Sequence, residues 1–412
     1  MRRKRLGGLT GILIGMVIGA LICVVIINLA TVKSTAMSVK MDTGEKIQLI
    51  LDYLSNYYID IDKMSEEDIT DALAKGLMEN IGDKYAQYYT AEQFNELMED
   101  VNGEYAGIGV LITQDTETGK IIIYQVYDDT PAQEAGIQIM DQIVEAAGRR
   151  DFETMDELVS LVRGEPGTTV DIVVDRGGTE IPMTVERRYI KVPSAAGEML
   201  DDTLGYIQIA EFNVSTVSQF EEALDRLAEE GMQKLIIDLR DNPGGDYDSV
   251  VAMCDRVVPE GPIVTIENRA GSIKTENSDA TCLDIPMAIL INGNTASAAE
   301  LFTMCLTDYG KAETIGTTSF GKGIVQAIYR LPDGSGLKFT TERYYGPAGN
   351  SIQDTGIEPD YYVEIPEEAY DDGVIYGYED TQLIKAAEIL GYSPDSVEVL
   401  TKEYYDQLQE RQ

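Results

Sequence analysis

The sequence predicts an α/β protein of several domains: a small helical region, then a compact module of mixed strands and helices, then a largely parallel sheet with helices on its faces. Three observations carry this reading. Apolar residues recur at helical spacing between Glu45 and about Asp100, the period shortens to strands after Gly103, and from Gly205 to about Ile365 apolar strands alternate with helices. At 412 residues and 44% hydrophobic content, the chain is long enough for two or three domains, each with its own core.

Taken in order, Arg2, Arg3, Lys4 and Arg5 precede an uncharged run from Leu6 to Ile27, long enough to cross a hydrocarbon core. Basic residues on its N-terminal side place the bulk of the chain outside the cytoplasm, anchored in the cell membrane by a single pass. A cleaved signal peptide, ending near Ser34, Thr35 and Ala36, is the competing reading. A polar stem leads to Ile47, Ile50, Leu51 and Leu54, spaced as one face of a helix, and Ser65 to Asp68 resembles a capping box before Ile69, Leu73 and Leu77.

Strands are expected over Gly107 to Thr113, Lys120 to Val126, Thr169 to Asp175 and Glu180 to Glu186, with helices near Gln133 and from Met155 to Arg163. Further on, strands over Gly205 to Ile209, Leu235 to Leu239 and Met287 to Ile291 alternate with helices over Ser218 to Glu230, after Gly245, and from about Thr295 to Leu306. These elements divide the chain into 1–30 (basic tip and anchor), 31–102 (stem and helical region), 103–188 (mixed module), 189–365 (sheet core) and 366–412 (acidic helical tail).

Composition narrows the chemistry. A net charge of -40, with 72 acidic against 32 basic residues, argues against nucleic acid as a partner. The absence of histidine removes the Ser-His-Asp triad, the Cys-His dyad and every histidine-ligated zinc site. Beyond Cys23 in the apolar run, Cys254, Cys282 and Cys305 form an odd, widely spaced set that suits neither a disulfide framework nor a metal site. No metal and no cofactor is expected.

In a parallel sheet, binding groups lie in the loops that leave the strand C-termini. Leu235 to Leu239 runs into Arg240, Asp241, Asn242, Pro243, Gly244 and Gly245, where paired glycines leave backbone amides open to a ligand, as an oxyanion hole requires. Met287 to Ile291 runs into Asn292 to Ala298 and places Ser297 near a helix N-terminus, which favours developing negative charge. With Glu300 three residues on, Ser297 also reads as a plain helix cap. Lys322, between Gly321 and Gly323, is a candidate base if burial lowers its pKa, and a solvated surface lysine otherwise. Gln326, four residues later, falls on the same side of a strand or helix and can hold the amine without adding charge.

Together these residues resemble the C-terminal processing peptidases, or tail-specific proteases. The resemblance runs from residue 45 to about 390 through Gly82 to Tyr85, Gly103 to Val110, Arg163 to Gly167, Asp238 to Gly245, Thr295 to Glu300, Phe320 to Gln326 and Gly346 to Asp360. It implies a PDZ-like domain over 103–188 and a catalytic core of crotonase/Clp-protease-like fold over 189–365. It further implies Ser297 as nucleophile, Lys322 as general base, Gln326 orienting the lysine, and an oxyanion hole from Ala298 with Gly244 or Gly245.

In the PDZ-like stretch, Tyr105, Gly107, Ile108 and Gly109 would meet a peptide's C-terminal carboxylate, and Arg163 would couple tail binding to the active site. Met140 and Ala147 stand there in place of the family's usual glycine and asparagine. The implied partners are protein or peptide substrates with accessible C-terminal tails, and a homodimer is a further expectation. The function implied is endoproteolysis of extracytoplasmic proteins near their tails; the alternative is a catalytically silent PDZ-containing scaffold. One decoy, Ser335 to Lys338, spells Ser-x-x-Lys but reads as a hairpin turn before a strand rather than the opening of a helix.

Overall fold

A computed structural model describes residues 41–115, 118–152, 154–366, 369 and 379–393. The apolar run Leu6 to Ile27 lies outside the described residues, as does most of the acidic tail. Among the described residues, no helix is long and apolar enough to cross a membrane. The chain divides into two compact units between Leu73 and Ala74.

In the first unit, helix Thr43–Tyr57 starts where Asp42 and Glu45 cap each other, the Glu45 amide donating to Asp42 Oδ1 at 3.0 Å. The predicted apolar spacing yields the helix but not a buried face: Ile47, Ile50 and Leu54 are exposed, and no residue of this helix is buried. The capping pair at Ser65 and Asp68 forms, the Asp68 amide donating to Ser65 Oγ at 3.0 Å, and opens helix Glu66–Asn80.

The second unit contains the mixed module and the sheet core. In the module, Val110–Gln114, Ile121–Val126, Gln142–Ala146, Thr169–Arg176 and Thr179–Glu186 pair in that order as an antiparallel sheet. Alternate residues Val170, Ile172 and Val174 point inward against Ile123 and Leu158, the latter on helix Met155–Val162. The single strand expected over Gly107 to Thr113 is two. Glu104–Gly107 pairs with Arg188–Lys191, and Val110–Gln114 joins the module's sheet. The break falls at Gly109, which takes φ +90° with its Cα pressed on Thr130, where an added Cβ would lie 2.3 Å from the threonine Cβ.

The core sheet runs Tyr361–Tyr362, Ala312–Gly316, Met287–Ile291, Lys234–Asp238, Leu204–Ile209 and Ala195–Met199, parallel throughout except for the last strand. Its strands alternate between two apolar layers. Leu235, Ile237, Ile289 and Ile291 face helices Val214–Glu230, Tyr247–Val257 and Ala298–Asp308, whereas Ile236, Ala288 and Leu290 face helix Thr381–Ile389. Both faces are thereby covered, which is why these strands read as continuous apolar runs. Helix Val214–Glu230 begins four residues earlier than Ser218 because Asn213 Oδ1 caps the Thr216 amide at 3.0 Å.

There is a further sheet, which the sequence pattern does not announce. Gln87–Tyr89, Gly336–Tyr345, Gly261–Asn268 and Ile273–Ser278 pair antiparallel, and Ile324–Arg330 forms a hairpin with Gly336–Tyr345. Ser335 lies in that hairpin's turn, its amide and hydroxyl donating to Asp333 Oδ1, so the Ser-x-x-Lys decoy opens no helix.

Met140 and Ala147 both adopt the left-handed backbone that favours glycine, at φ +69° and +50°. A side chain there is strained by about 1–2 kcal/mol. Met140→Gly is therefore expected to stabilise the protein by about 1 kcal/mol despite the added freedom of the unfolded chain. Urea unfolding that shows equal or lower stability would contradict this assignment.

Candidate active site

Two neighbouring parallel strands, Lys234–Asp238 and Met287–Ile291, end at the same edge of the core sheet and release the two candidate loops side by side. The loops are laced together. Asn292 and Asn294 donate through their Nδ2 atoms to Asp241 Oδ1 at 2.9 and 2.8 Å, Thr295 Oγ1 donates to the Leu239 carbonyl at 2.7 Å, and the Ala296 amide donates to the Asn242 carbonyl at 2.9 Å. Asn242 is fully buried; its Nδ2 donates to the Ile209 carbonyl and its Oδ1 accepts the Gly244 amide, both at 2.8 Å.

That last bond engages the Gly244 N–H, whereas the amides of Gly245 and Ala298 make no hydrogen bond among the described residues. Of the two glycines, Gly245 is thus the one with a donor to offer. Gly244 serves by having no side chain, since a Cβ there would lie 2.8 Å from both Ser297 Cβ and the Ala298 nitrogen.

Ser297 immediately precedes helix Ala298–Asp308, with φ 55° and ψ -114°. An ordinary N-cap adopts extended backbone, so a plain cap does not account for this conformation. Its strain costs on the order of 1–3 kcal/mol and persists only where the surroundings impose it. They do so through Glu300, whose Oε2 accepts the Ser297 amide at 2.9 Å. The serine's own N–H is therefore unavailable to a ligand.

Lys322 precedes strand Ile324–Arg330, and its flanking glycines let the chain pack closely. A Cβ on Gly321 would lie 2.8 Å from the Gly356 nitrogen, and one on Gly323 would lie 2.8 Å from that of Gln353. Nζ donates to Gln326 Oε1 at 3.0 Å and sits 4.7 Å from the centre of the Tyr85 ring, while Gln326 Nε2 donates to the Tyr85 carbonyl at 2.9 Å. Burial, and secondarily the cationic Lys338 and Lys84, hold the Lys322 pKa below the usual lysine value; Asp83 and Glu300 pull it the other way.

Ser297, Lys322 and Gln326 line one cavity of about 370 Å³ together with Gly244, Gly245 and Ala298. No hydrogen bond joins Ser297 Oγ to Lys322 Nζ, as is common before substrate tightens a site. Helix Ala91–Asn102 contributes Leu97, Asp100 and Val101 to the same wall. Among the described residues no group of three or more histidine, cysteine or acidic side chains is disposed to hold a metal.

Two residues of this site carry roles that the sequence did not reveal. Beyond the Ser297 amide, Glu300 accepts from Ser319 Oγ, the Gly321 amide and the Lys322 amide at 2.6, 2.7 and 2.8 Å. Tyr344, almost fully buried, directs its hydroxyl at the carbonyls of Ser297 and Lys322, at 3.0 and 2.9 Å. The Ser-x-x-Glu spacing pointed to Glu300 as a cap but not to its other partners, and nothing in the sequence singled out Tyr344.

The profile of peptidase family S41 matches residues 203–363 and that of the PDZ domain matches residues 122–176. The carboxy-terminal processing protease CtpA of Bacillus subtilis is 32% identical over 319 residues, covering 76% of this chain and 67% of that protein. The chain belongs to the C-terminal processing peptidases of family S41. A probable CtpA-like serine protease of Staphylococcus haemolyticus is 32% identical over 328 residues, covering 78% of this chain and 65% of that protein. The S41 chain thus spans about two thirds of the length of these curated relatives. A solved structure titled photosystem II D1 C-terminal processing protease aligns at 24% identity with a TM-score of 0.47, covering 82% of this chain and 92% of that one.

The PDZ domain of this S41 chain has a groove of its own, about 230 Å³, lined by Tyr105, Gly107, Ile108, Leu158 and Arg163. Gly109 is not in its wall and instead shapes the loop through its positive φ. Arg163 lies 5.3 Å from the Tyr105 ring and pairs with Glu99 at 3.1 Å. Glu99 belongs to helix Ala91–Asn102, the helix that also walls the Ser297 cavity.

Gly245 tests the loop geometry. At φ +140°, a Cβ would lie 1.8 Å from the Phe212 carbonyl oxygen. Gly245→Ala is expected to cost at least about 2 kcal/mol in urea unfolding; wild-type stability would show that the loop is not packed in this way.

Proposed function

We propose that the chain is a serine endopeptidase that cleaves extracytoplasmic proteins near their C-terminal tails, with its PDZ domain binding the tail. The observation that carries this reading is the pairing, in one cavity, of a serine strained into place at a helix N-terminus with a half-buried lysine that burial biases toward its neutral form. In this reading, neutral Lys322 takes the Ser297 proton as Oγ attacks the scissile carbonyl, and the oxygen that becomes negative is received by the Gly245 and Ala298 amides. The lysine then gives its proton to the leaving amine, the acyl-enzyme forms, and Lys322 activates a water to release the product acid and restore the serine. Gln326 aims the amine by accepting it at its neutral oxygen, and is itself oriented by donating its Nε2 to the Tyr85 carbonyl. The apolar run Leu6 to Ile27, with its basic N-terminal flank, supports a membrane anchor that leaves the catalytic region outside the cytoplasm.

The test compares the full-length chain with Ser297→Ala and Lys322→Ala on a substrate of defined C-terminal tail across pH. Either substitution is expected to lower kcat by at least about 10³-fold. Because the neutral amine is the active form, wild-type kcat/KM should rise with pH along a limb set below the ordinary lysine value of about 10.4. Equal cleavage by all three proteins would leave the assigned pair without support.

A further inference from the structure

We propose that Glu300 is a positioning residue for the Ser297–Lys322 pair, joining the backbone of both residues at one carboxylate and setting a negative charge against the lysine ammonium. The inference rests on the peptidase reading above but assigns a residue that reading does not use.

Glu300 is fully buried on the first turn of helix Ala298–Asp308, where the helix dipole favours an anion. Each of its oxygens takes two hydrogen bonds. Oε2 accepts the amides of Ser297 and Lys322, and Oε1 accepts Ser319 Oγ and the Gly321 amide. A helix cap needs only the first of these four. The other three reach a segment about twenty residues farther along the chain, so capping does not explain why the side chain is placed as it is. All four partners donate, hence both oxygens act purely as acceptors, which an ionised carboxylate does and a side-chain amide cannot. The Tyr344 hydroxyl lies within hydrogen-bond distance of the carbonyls of the same two residues and shares its one proton between them, a second link between the Ser297 and Lys322 backbones. The Ser319 hydroxyl, which donates to Glu300, also accepts the Ile357 amide at 2.7 Å and extends the joint into a third segment.

The charge matters as well as the bonds. Lys322 is faced by Asp83 and Lys84 from the segment before strand Gln87–Tyr89, by Lys338 from strand Gly336–Tyr345, and by Glu300 from the helix; Asp100, Glu211 and Asp246 line the cavity around it. Glu300 and Asp83 favour the ammonium against burial and against the two lysines. Removing the Glu300 charge therefore lowers the pH at which the base becomes neutral.

The experiment compares full-length wild type, Glu300→Gln and Tyr344→Phe for kcat, KM and their pH dependence on one tailed peptide, with the thermal midpoint recorded for each. Glu300→Gln is expected to lower kcat by about 100-fold or more, as a small misplacement of reacting groups does. KM should stay within about threefold, and the acidic limb should move down by roughly half a pH unit for one charge removed at an intermediate dielectric. Tyr344→Phe keeps the charge, so it should lower kcat without moving the limb. A folded Glu300→Gln with kcat within about threefold of wild type and an unmoved limb overturns the proposal. Should that variant not fold, Glu300→Asp and Ser319→Ala keep the charge while breaking part of the joint. Both should then lose at least about tenfold in kcat with the limb in place, and wild-type kcat in both overturns the proposal. A wild-type profile flat from about pH 5 to 10 refutes Lys322 as the base, and with it the reading beneath the proposal.

Discussion

A single buried oxygen, Glu300 Oε2, accepts the amides of Ser297 and Lys322 at 2.9 and 2.8 Å, and the candidate site is arranged around that contact. A buried carboxylate that lost its donors would cost several kcal/mol, so the four donors and the charge hold one another in place. This supplies the constraint that keeps Ser297 at a positive φ, and it directs the serine's own amide away from the cavity. The rest of the scaffold serves that joint. The fully buried strand Met287–Ile291 fixes where the serine loop begins, and Asp241 and Asn242 bind that loop to the glycine loop beside it.

Much of the core was legible because covering a parallel sheet on both faces leaves a plain mark. Leu235 to Leu239 and Met287 to Ile291 are continuous apolar runs for that reason, and the loops after them can be located from the sequence alone. The hairpin Gly261–Asn268 and Ile273–Ser278 left no such mark. Its second strand, Ile-Lys-Thr-Glu-Asn-Ser, is mostly exposed and polar, and antiparallel pairing rather than apolar pattern holds it. Helix Thr43–Tyr57 shows the converse failure: spacing predicts the helix, but the apolar face it implies is exposed.

Within the site, the glycines flanking Lys322 and the spacing of Gln326 were readable from local chemistry, and the bond between the two side chains forms. What joins Lys322 to Ser297 was not readable, because it depends on contacts between segments separated by many residues. Glu300 looked like a cap because the cap is its only local bond, and Tyr344 looked like an ordinary strand residue because both of its acceptors are backbone carbonyls elsewhere in the chain. The choice between Gly244 and Gly245 likewise turned on the Asn242 side chain, which no spacing rule would have aimed at one amide rather than the other.

The same helix, Ala91–Asn102, walls the Ser297 cavity and holds the Arg163–Glu99 pair beside the PDZ groove, the place where the sequence leads one to expect coupling through Arg163. Both side chains of that pair are about a third or more exposed, and such a pair contributes roughly 0–1 kcal/mol, so it can bias an equilibrium only severalfold. The central claim concerns the pair itself, and covalent capture tests it most directly. Treating the full-length protein with a serine-reactive phosphonate above and below the pH limb, then mapping the adduct by mass spectrometry, should place it on Ser297 and show faster labelling at the higher pH in wild type but not in Lys322→Ala. An adduct on another serine, or labelling of Ser297 at the same rate with and without Lys322, would contradict the account.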